Sequence, residues 1–125
     1  MSKLLFEDET YQLIGACIKV HKKLGNGFAE AIYHEALEKE LKKAAIPFEY
    51  HKKLDIYYEG KKLQNYFISD FVCYNKIILE IESVQNIQQS QKQEVINHLR
   101  STECQVGLLI NFGEKSLTWK RFINT

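Results

Sequence analysis

Residues 77–82 read IILEIE, a nearly all-aliphatic segment that carries acids at Glu80 and Glu82. An aliphatic run of this length is typical of a buried β-strand. Side chains two apart on a strand share one face, so Ile78, Glu80 and Glu82 lie together. A half-exposed edge strand with an acidic outer face is the simple interpretation, because most acids are solvated. Ile78 argues against it, so the two acids need a further explanation.

The segment before this strand, residues 62–74, is predicted to be a strand that carries Asp70 between apolar residues. A tight turn would join the two strands as a hairpin, and its register would place Asp70 beside Glu80 and Glu82. Neighbouring carboxylates repel one another and raise one another's pKa unless a cation neutralises them. A hard, oxygen-seeking ion such as Mg²⁺ (or Mn²⁺) fits such a cluster best.

Outward from this hairpin, the hydrophobic pattern predicts eight elements in the order ααβββαββ. Helices are expected at residues 9–24, 28–45 and 88–102. Strands are expected at residues 48–58, 62–74, 77–82, 105–112 and 117–123. The order contains an αβββαβ core, with an extra N-terminal helix and a C-terminal strand, and indicates an α/β (α+β) fold with a mixed central sheet flanked by helices. Because no linker or repeat divides the chain, residues 1–125 are expected to form a single domain.

The second helix adds a fourth acid. Glu30 lies three residues before Tyr33 and seven before Leu37, so it is expected to share their inward face. Stabilisation by the exposed N–H groups of the first helical turn is an alternative explanation for Glu30. Combined with the three strand acids, Glu30 is a candidate metal ligand. The inward stripe of this helix is expected to consist of Ile32, Tyr33, Ala36, Leu37, Leu41 and Ala44.

The third helix carries a stripe formed by Gln91, Glu94, Val95 and His98. Gln91 and His98 are candidates for contact with a substrate. An ordinary hydrogen-bonded histidine is the simpler explanation for His98.

Several motifs together resemble the GxxExxY family of the PD-(D/E)XK nuclease superfamily, over nearly the whole chain. They are GFAEAIY at residues 27–33, Asp70, the acids of EIE at residues 80–82, NHL at residues 97–99 and GLLINFG at residues 107–113.

This resemblance implies a restriction-endonuclease-like fold and metal-assisted hydrolysis of phosphodiester bonds in nucleic acid. It also implies that Asp70 and Glu80 bind the metal ion, that the carbonyl of Ile81 is a further ligand, and that Glu30 completes the site.

Two positions depart from the family pattern, because Glu82 stands where lysine is usual and Glu94 where glutamine is usual. The lysine would stabilise negative charge as it develops, and glutamate cannot supply positive charge. In superfamily nucleases that carry an ExE variant, the second acid is thought to act as a base or to help hold a second metal ion. Lys92 and Lys76 are alternative sources of the missing charge, although Lys92 falls off the helical stripe and Lys76 lies in a turn.

Three hypotheses follow. The first is a Mg²⁺-dependent nuclease in which Asp70, Glu80, Glu82 and Glu94 form the catalytic group. The second is a catalytically degenerate nuclease-fold protein that binds nucleic acid or a protein partner. The third, a purely structural module, requires the acid cluster to be a coincidence.

Bulk composition places few limits on these hypotheses. Lys and Arg number 17 against 16 for Asp and Glu, so the net charge of +1 does not mark a nucleic-acid binder. Three cysteines without a CxxC pair indicate reduced thiols in a cytoplasmic protein. No apolar run is long enough for a membrane span. The expected partner is nucleic acid, with DNA favoured over RNA, and a domain this small leaves a homodimer open.

Overall fold

The computed structural model describes residues 4–124, so the ends of the predicted domain, residues 1–3 and 125, lie outside the described residues. Its helices are α1 (Glu7–Leu24), α2 (Glu30–Lys43) and α3 (Gln89–Arg100). Its strands are β1 (Phe48–Tyr58), β2 (Lys61–Cys73), β3 (Ile77–Glu82), β4 (Val106–Asn111) and β5 (Thr118–Ile123). The predicted element order is confirmed.

The strands form one five-stranded sheet in the spatial order β1-β2-β3-β4-β5. Strands β3 and β4 are parallel, and the other neighbouring strands are antiparallel. Helix α3 makes the crossover between the two parallel strands, which cannot be joined by a tight turn. The predicted mixed sheet flanked by helices is therefore confirmed.

Strand β3 lies at the centre of the sheet and separates two apolar clusters. Ile77, Leu79 and Ile81 face the larger cluster, which is formed mainly with α1 and α2. Ile78 faces the smaller cluster with Leu99 of α3. Glu80 and Glu82 follow Ile78 on the α3 face, so the simple interpretation of a solvated edge strand is wrong.

The segment after β3 is held against the end of β4 by Asn111. The Asn111 side chain accepts a hydrogen bond from the Val84 N–H at 3.1 Å and donates one to the Val84 carbonyl at 2.9 Å. Gly113 makes this approach possible, since a Cβ atom at that position would lie 2.1 Å from the Val84 oxygen. These contacts fix the chain just beyond Glu82.

The start of α2 is fixed by Tyr33, whose side chain is fully buried. The Tyr33 hydroxyl donates to the Gly25 carbonyl at 2.6 Å and accepts from the Phe28 N–H at 3.2 Å. Its ring stacks on Phe112 with centroids 4.5 Å apart. Tyr33 thereby holds the turn that leads into Glu30, the first residue of α2.

The inward stripe predicted for α2 is wrong at two positions. Ile32 is 46% exposed, and Ala44 is exposed beyond the last residue of the helix. His34 is buried instead, beside Tyr33. Hydrophobicity alone ranks isoleucine above histidine as an inward residue. The prediction therefore assigned the wrong face of this part of the helix to the interior.

Strands β1 and β2 extend well beyond the rest of the sheet. Only the last residues of β2 pair with β3, from Phe71 to Cys73. The remainder of the two strands forms a two-stranded ribbon, residues 52–69, on which several aromatic side chains are exposed. They include Tyr57, Tyr58 and Tyr66.

None of the helices within residues 4–124 combines the length and apolarity needed to cross a lipid bilayer. Cys17, Cys73 and Cys104 are buried free thiols.

The Gly113 contact predicts a stability effect. Gly113→Ala should destabilise the protein by about 3 kcal/mol, because its methyl group would overlap the Val84 backbone. Gly15→Ala is the matched control, since a Cβ atom there meets no atom within 4 Å and alanine favours the helix by about 1 kcal/mol. Urea denaturation measures both variants. Equal stability of Gly113→Ala and the wild type would contradict this account.

Candidate metal and catalytic site

Two carboxylates accept backbone N–H groups where the backbone pairing of β2 and β3 ends. Phe71 and Leu79 form the last backbone pair. Beyond that pair, the Asp70 N–H donates to Oε2 of Glu80 at 3.1 Å, and the Ile81 N–H donates to Oδ2 of Asp70 at 2.8 Å. The sequence-based expectation that Asp70 lies beside Glu80 agrees with this geometry.

These carboxylates open into a small cleft of about 130 Å³ between the sheet, α3 and the start of α2. Its lining residues are Glu30, Ile68, Asp70, Glu80, Ile81, Glu82, Gln91, Glu94, Val95 and Leu109. Every site residue named from the sequence lines this cleft except His98. The cleft therefore brings together acids that lie on four different elements.

Glu30 is exposed, so the expectation that it points into the interior is wrong. It nevertheless shares a hydrogen bond with Glu82, which places its carboxyl at the cleft. Although the residue as a whole is exposed, partial burial of its carboxyl among the cleft residues, and then the nearby charge of Asp70, raise the pKa of Glu30. Helix α2 begins at Glu30 itself, so the side chain reaches the cleft from the first turn of the helix.

Three acids of the cleft, Glu30, Asp70 and Glu82, have pKa values above those of free carboxyl groups. Burial, followed by the charges of Glu30, Asp70 and Glu94, raises the pKa of Glu82 to about 7. Burial, followed by the charge of Glu80, raises the pKa of Asp70 to about 6. A neighbouring cation would reverse these shifts, because it favours the charged form of each carboxyl.

His98 contacts the cluster from α3 without lining the cleft. Its Nδ1 lies 2.7 Å from Oε1 of Glu80, and its ring stacks on Phe67 with centroids 3.7 Å apart. Its Nε2 lies 3.9 Å from the exposed carboxyl of Glu94. The simpler explanation of His98, an ordinary hydrogen-bonded histidine, agrees with these contacts.

Gln91 lines the cleft, but its side-chain oxygen accepts the Gln88 N–H at 2.7 Å. The pair forms the capping box of α3, so Gln91 also fixes the start of that helix.

Neither alternative lysine reaches the acids. Lys76 pairs with Glu9 at 3.2 Å and lies over the ring of Phe6. Lys92 lines a different cavity, beside Trp119. Within residues 4–124, no lysine or arginine lines the acid cleft. The charge missing at Glu82 is therefore not replaced by another side chain of this part of the protein.

Sequence reasoning overlooked two histidines that lie near Asp70 but do not line the cleft. One donor atom each of His34, His51 and Asp70 lies within 4.8 Å of the others. His34 follows Glu30 by four residues, and that spacing on α2 could have identified it. His51 gave no such signal, because its position depends on an unusual backbone angle within β1.

The acid cluster predicts how stability changes with pH. The pKa of Glu82 is about 7 in the folded protein, above the usual 4.5, so the folded state binds the proton more tightly than the unfolded state. Protonation of Glu82 therefore stabilises the fold at low pH, and this stabilisation is lost as pH rises from about 4.5 to about 7. In metal-free protein, Glu82→Gln should therefore raise the melting temperature at pH 8 and change it little at pH 4.5. Glu35→Gln, on the exposed face of α2, is the control. An equal change in melting temperature at both pH values would contradict the idea that the ionised Glu82 is repelled by the other acids.

A sequence model of the PD-(D/E)XK nuclease superfamily matches residues 7–122. No curated protein matches the chain significantly. Among solved structures, the crystal structure of SSO0001 is similar, with a TM-score of 0.59 and 18% sequence identity. The alignment covers 95% of this chain and 60% of SSO0001, so the chain spans less than two thirds of that protein's length. At this identity the likeness supports the fold alone.

The superfamily match spans the first seven elements, all but the last residue of β5, and the whole acid cleft. The superfamily is one of nucleases, and divalent metal ions are the usual cofactors of such nucleases. On the strength of this match, the chain belongs to the PD-(D/E)XK nuclease superfamily.

Proposed function

We propose that the protein is a Mg²⁺-dependent nuclease of the GxxExxY family with an atypical active site, in which Glu82 stands where lysine is usual. The observation that carries this proposal is the convergence of Glu30, Asp70, Glu80 and Glu82 on one cleft that no lysine or arginine of residues 4–124 lines. Four clustered acids are costly unless protons or a cation neutralise them.

In this proposal Asp70 and Glu80 hold the metal ion, together with the carbonyl of Ile81 and the carboxylate of Glu30. All these donors are oxygen atoms, which suits Mg²⁺, or Mn²⁺ in its place, better than zinc. The bound ion supplies Lewis-acid polarisation of the phosphodiester and neutralises part of its charge.

The remaining cleft residues handle the proton and the substrate. A bound cation would favour the ionised form of Glu82, and that carboxylate would accept a proton from the attacking water. Glu94 lies at the exposed rim and modulates the charge of the cleft. His98 positions Glu80 through their 2.7 Å contact. Gln91 and His98 remain the proposed substrate contacts on α3.

A second candidate function is a catalytically degenerate nuclease fold that binds nucleic acid or a protein partner. Glu82 and Glu94, the two departures from the family pattern, favour it. Without a positive group in the cleft, developing negative charge on the phosphate would rely on the metal ion alone.

We propose DNA rather than RNA as the substrate. The exposed ribbon of β1 and β2 offers lysines together with exposed tyrosines, a combination that suits contact with phosphates and bases. We further propose that residues 1–125 act as one domain in the cytoplasm, and that two copies pair as a homodimer to cover a duplex.

The first prediction concerns the metal ion. Calorimetric titration with Mn²⁺ should give saturable binding to the wild type, and Asp70→Asn and Glu80→Gln should each weaken it by at least about 100-fold, because loss even of an outer-shell partner typically costs 10- to 100-fold. Glu35→Gln should bind as the wild type does. Absence of binding to the wild type would favour the degenerate fold.

The second prediction separates the two functions by cleavage of supercoiled DNA, single-stranded DNA and RNA in Mg²⁺ or Mn²⁺. If the protein is an ExE nuclease, Glu82→Lys should lower the rate by about 100-fold or change the preferred metal ion. A degenerate fold predicts the reverse, with an inactive wild type and Glu82→Lys tolerated or gaining activity. Glu80→Gln is the inactive control for either outcome.

A further inference from the structure

Asp70 also lies close to a second group of donors, two histidines that do not line the acid cleft. His34 comes from α2, His51 from β1 and Asp70 from β2, and one donor atom of each lies within 4.8 Å of the others. Three separate elements thus place two imidazoles and one carboxylate within the span of a single metal ion.

His34 supplies the strongest observation. Its side chain is 8% exposed, and its Nε2 is buried without a hydrogen-bond partner. The Nε2 lies 3.6 Å from Oδ2 of Asp70, which is too far for a hydrogen bond. Buried polar atoms are nearly always paired, so the unpaired Nε2 indicates a bound group that is not part of the protein.

The other nitrogen of His34 is already occupied. Its Nδ1 lies 3.0 Å from the Tyr50 hydroxyl. A hydrogen bond from Nδ1–H to that hydroxyl leaves the lone pair of Nε2 directed towards Asp70. Metal-binding histidines usually have their second nitrogen held in this way, which fixes the orientation of the ring.

His51 reaches the group through an unusual backbone conformation. Its φ angle is +52°, although it lies inside β1 and is not glycine. Neighbouring side chains on a strand normally point to opposite faces, but the rings of Tyr50 and His51 stack with centroids 3.8 Å apart. This turn of the chain places the His51 ring 5.7 Å from the ring of His34.

We propose that His34, His51 and Asp70 form a second metal site, which binds Zn²⁺. Two imidazoles and a carboxylate are typical zinc ligands, and three protein ligands leave a position open for water or substrate. The site differs from the acid cleft, whose donors are all oxygen. Asp70 is common to the two proposed sets of ligands. The proposal does not depend on nuclease activity.

The test follows the four histidine rings of the protein by two-dimensional ¹H–¹⁵N NMR during titration of the metal-free protein with Zn²⁺. The ring signals of His34 and His51 should shift and saturate at one equivalent. His21, which contacts the Glu114 carbonyl at 2.9 Å, and His98, which reports on the acid cleft, should not move. The reading requires neither nucleic acid nor activity.

Variants assign the ion to its site. His51→Asn should weaken Zn²⁺ binding by at least about 100-fold, because it removes a ligand. Asparagine tolerates a positive φ angle, and His51 is exposed, so the fold should survive. Glu80→Gln should leave Zn²⁺ binding intact while it weakens Mn²⁺ binding to the cleft.

Two results would overturn the proposal. One is the absence of any shift at His34 and His51 with millimolar Zn²⁺. The other is a shift of His98 that Glu80→Gln abolishes and His51→Asn does not, which would place the ion in the acid cleft. Either result would leave Mn²⁺ binding to the cleft, and with it the proposed nuclease function, to be judged separately.

Discussion

The candidate site depends on an exchange in which side chains take the place of backbone hydrogen bonds. Where β2 and β3 stop pairing, the carboxylates of Asp70 and Glu80 accept the N–H groups of Ile81 and Asp70. The strands can then diverge without leaving buried backbone donors unpaired, which would be costly. The same hydrogen bonds hold both acids at defined positions, so the opening of the sheet and the placement of its charges have one cause.

The rest of the molecule supports this opening from either side. Asn111 and Gly113 fix the chain beyond Glu82, and Tyr33 fixes the turn that precedes Glu30. The residues that make the family motifs conspicuous in the sequence therefore serve mainly to brace the segments that carry the acids. Rigid support of this kind matters because like charges would otherwise move apart.

Much of the fold and the acid cleft could be predicted from the sequence, because strand alternation and hairpin pairing are local rules. These rules put Asp70 beside Glu80 and set Ile78, Glu80 and Glu82 on one face. They failed where a polar residue is buried or the backbone departs from its regular form. His34 replaced Ile32 on the inward face of α2, and His51, with its positive φ angle, stacks its ring on that of its neighbour Tyr50. Neither feature follows from hydrophobicity, since each depends on neighbours distant in the sequence.

The acids of the cleft are far apart in the sequence, so the cluster forms only when distant segments of the chain have folded together. Its acids lie on α2, β2, β3 and α3, and the brace at Asn111 lies on β4. During synthesis on the ribosome, the cluster and its support are complete only once the segment from Glu30 to Asn111 has been made. Capture of a cation in the cleft would thus mark a chain that has folded from α2 through β4, and a protease cut between α2 and β4 would divide the acids and their brace between two chains.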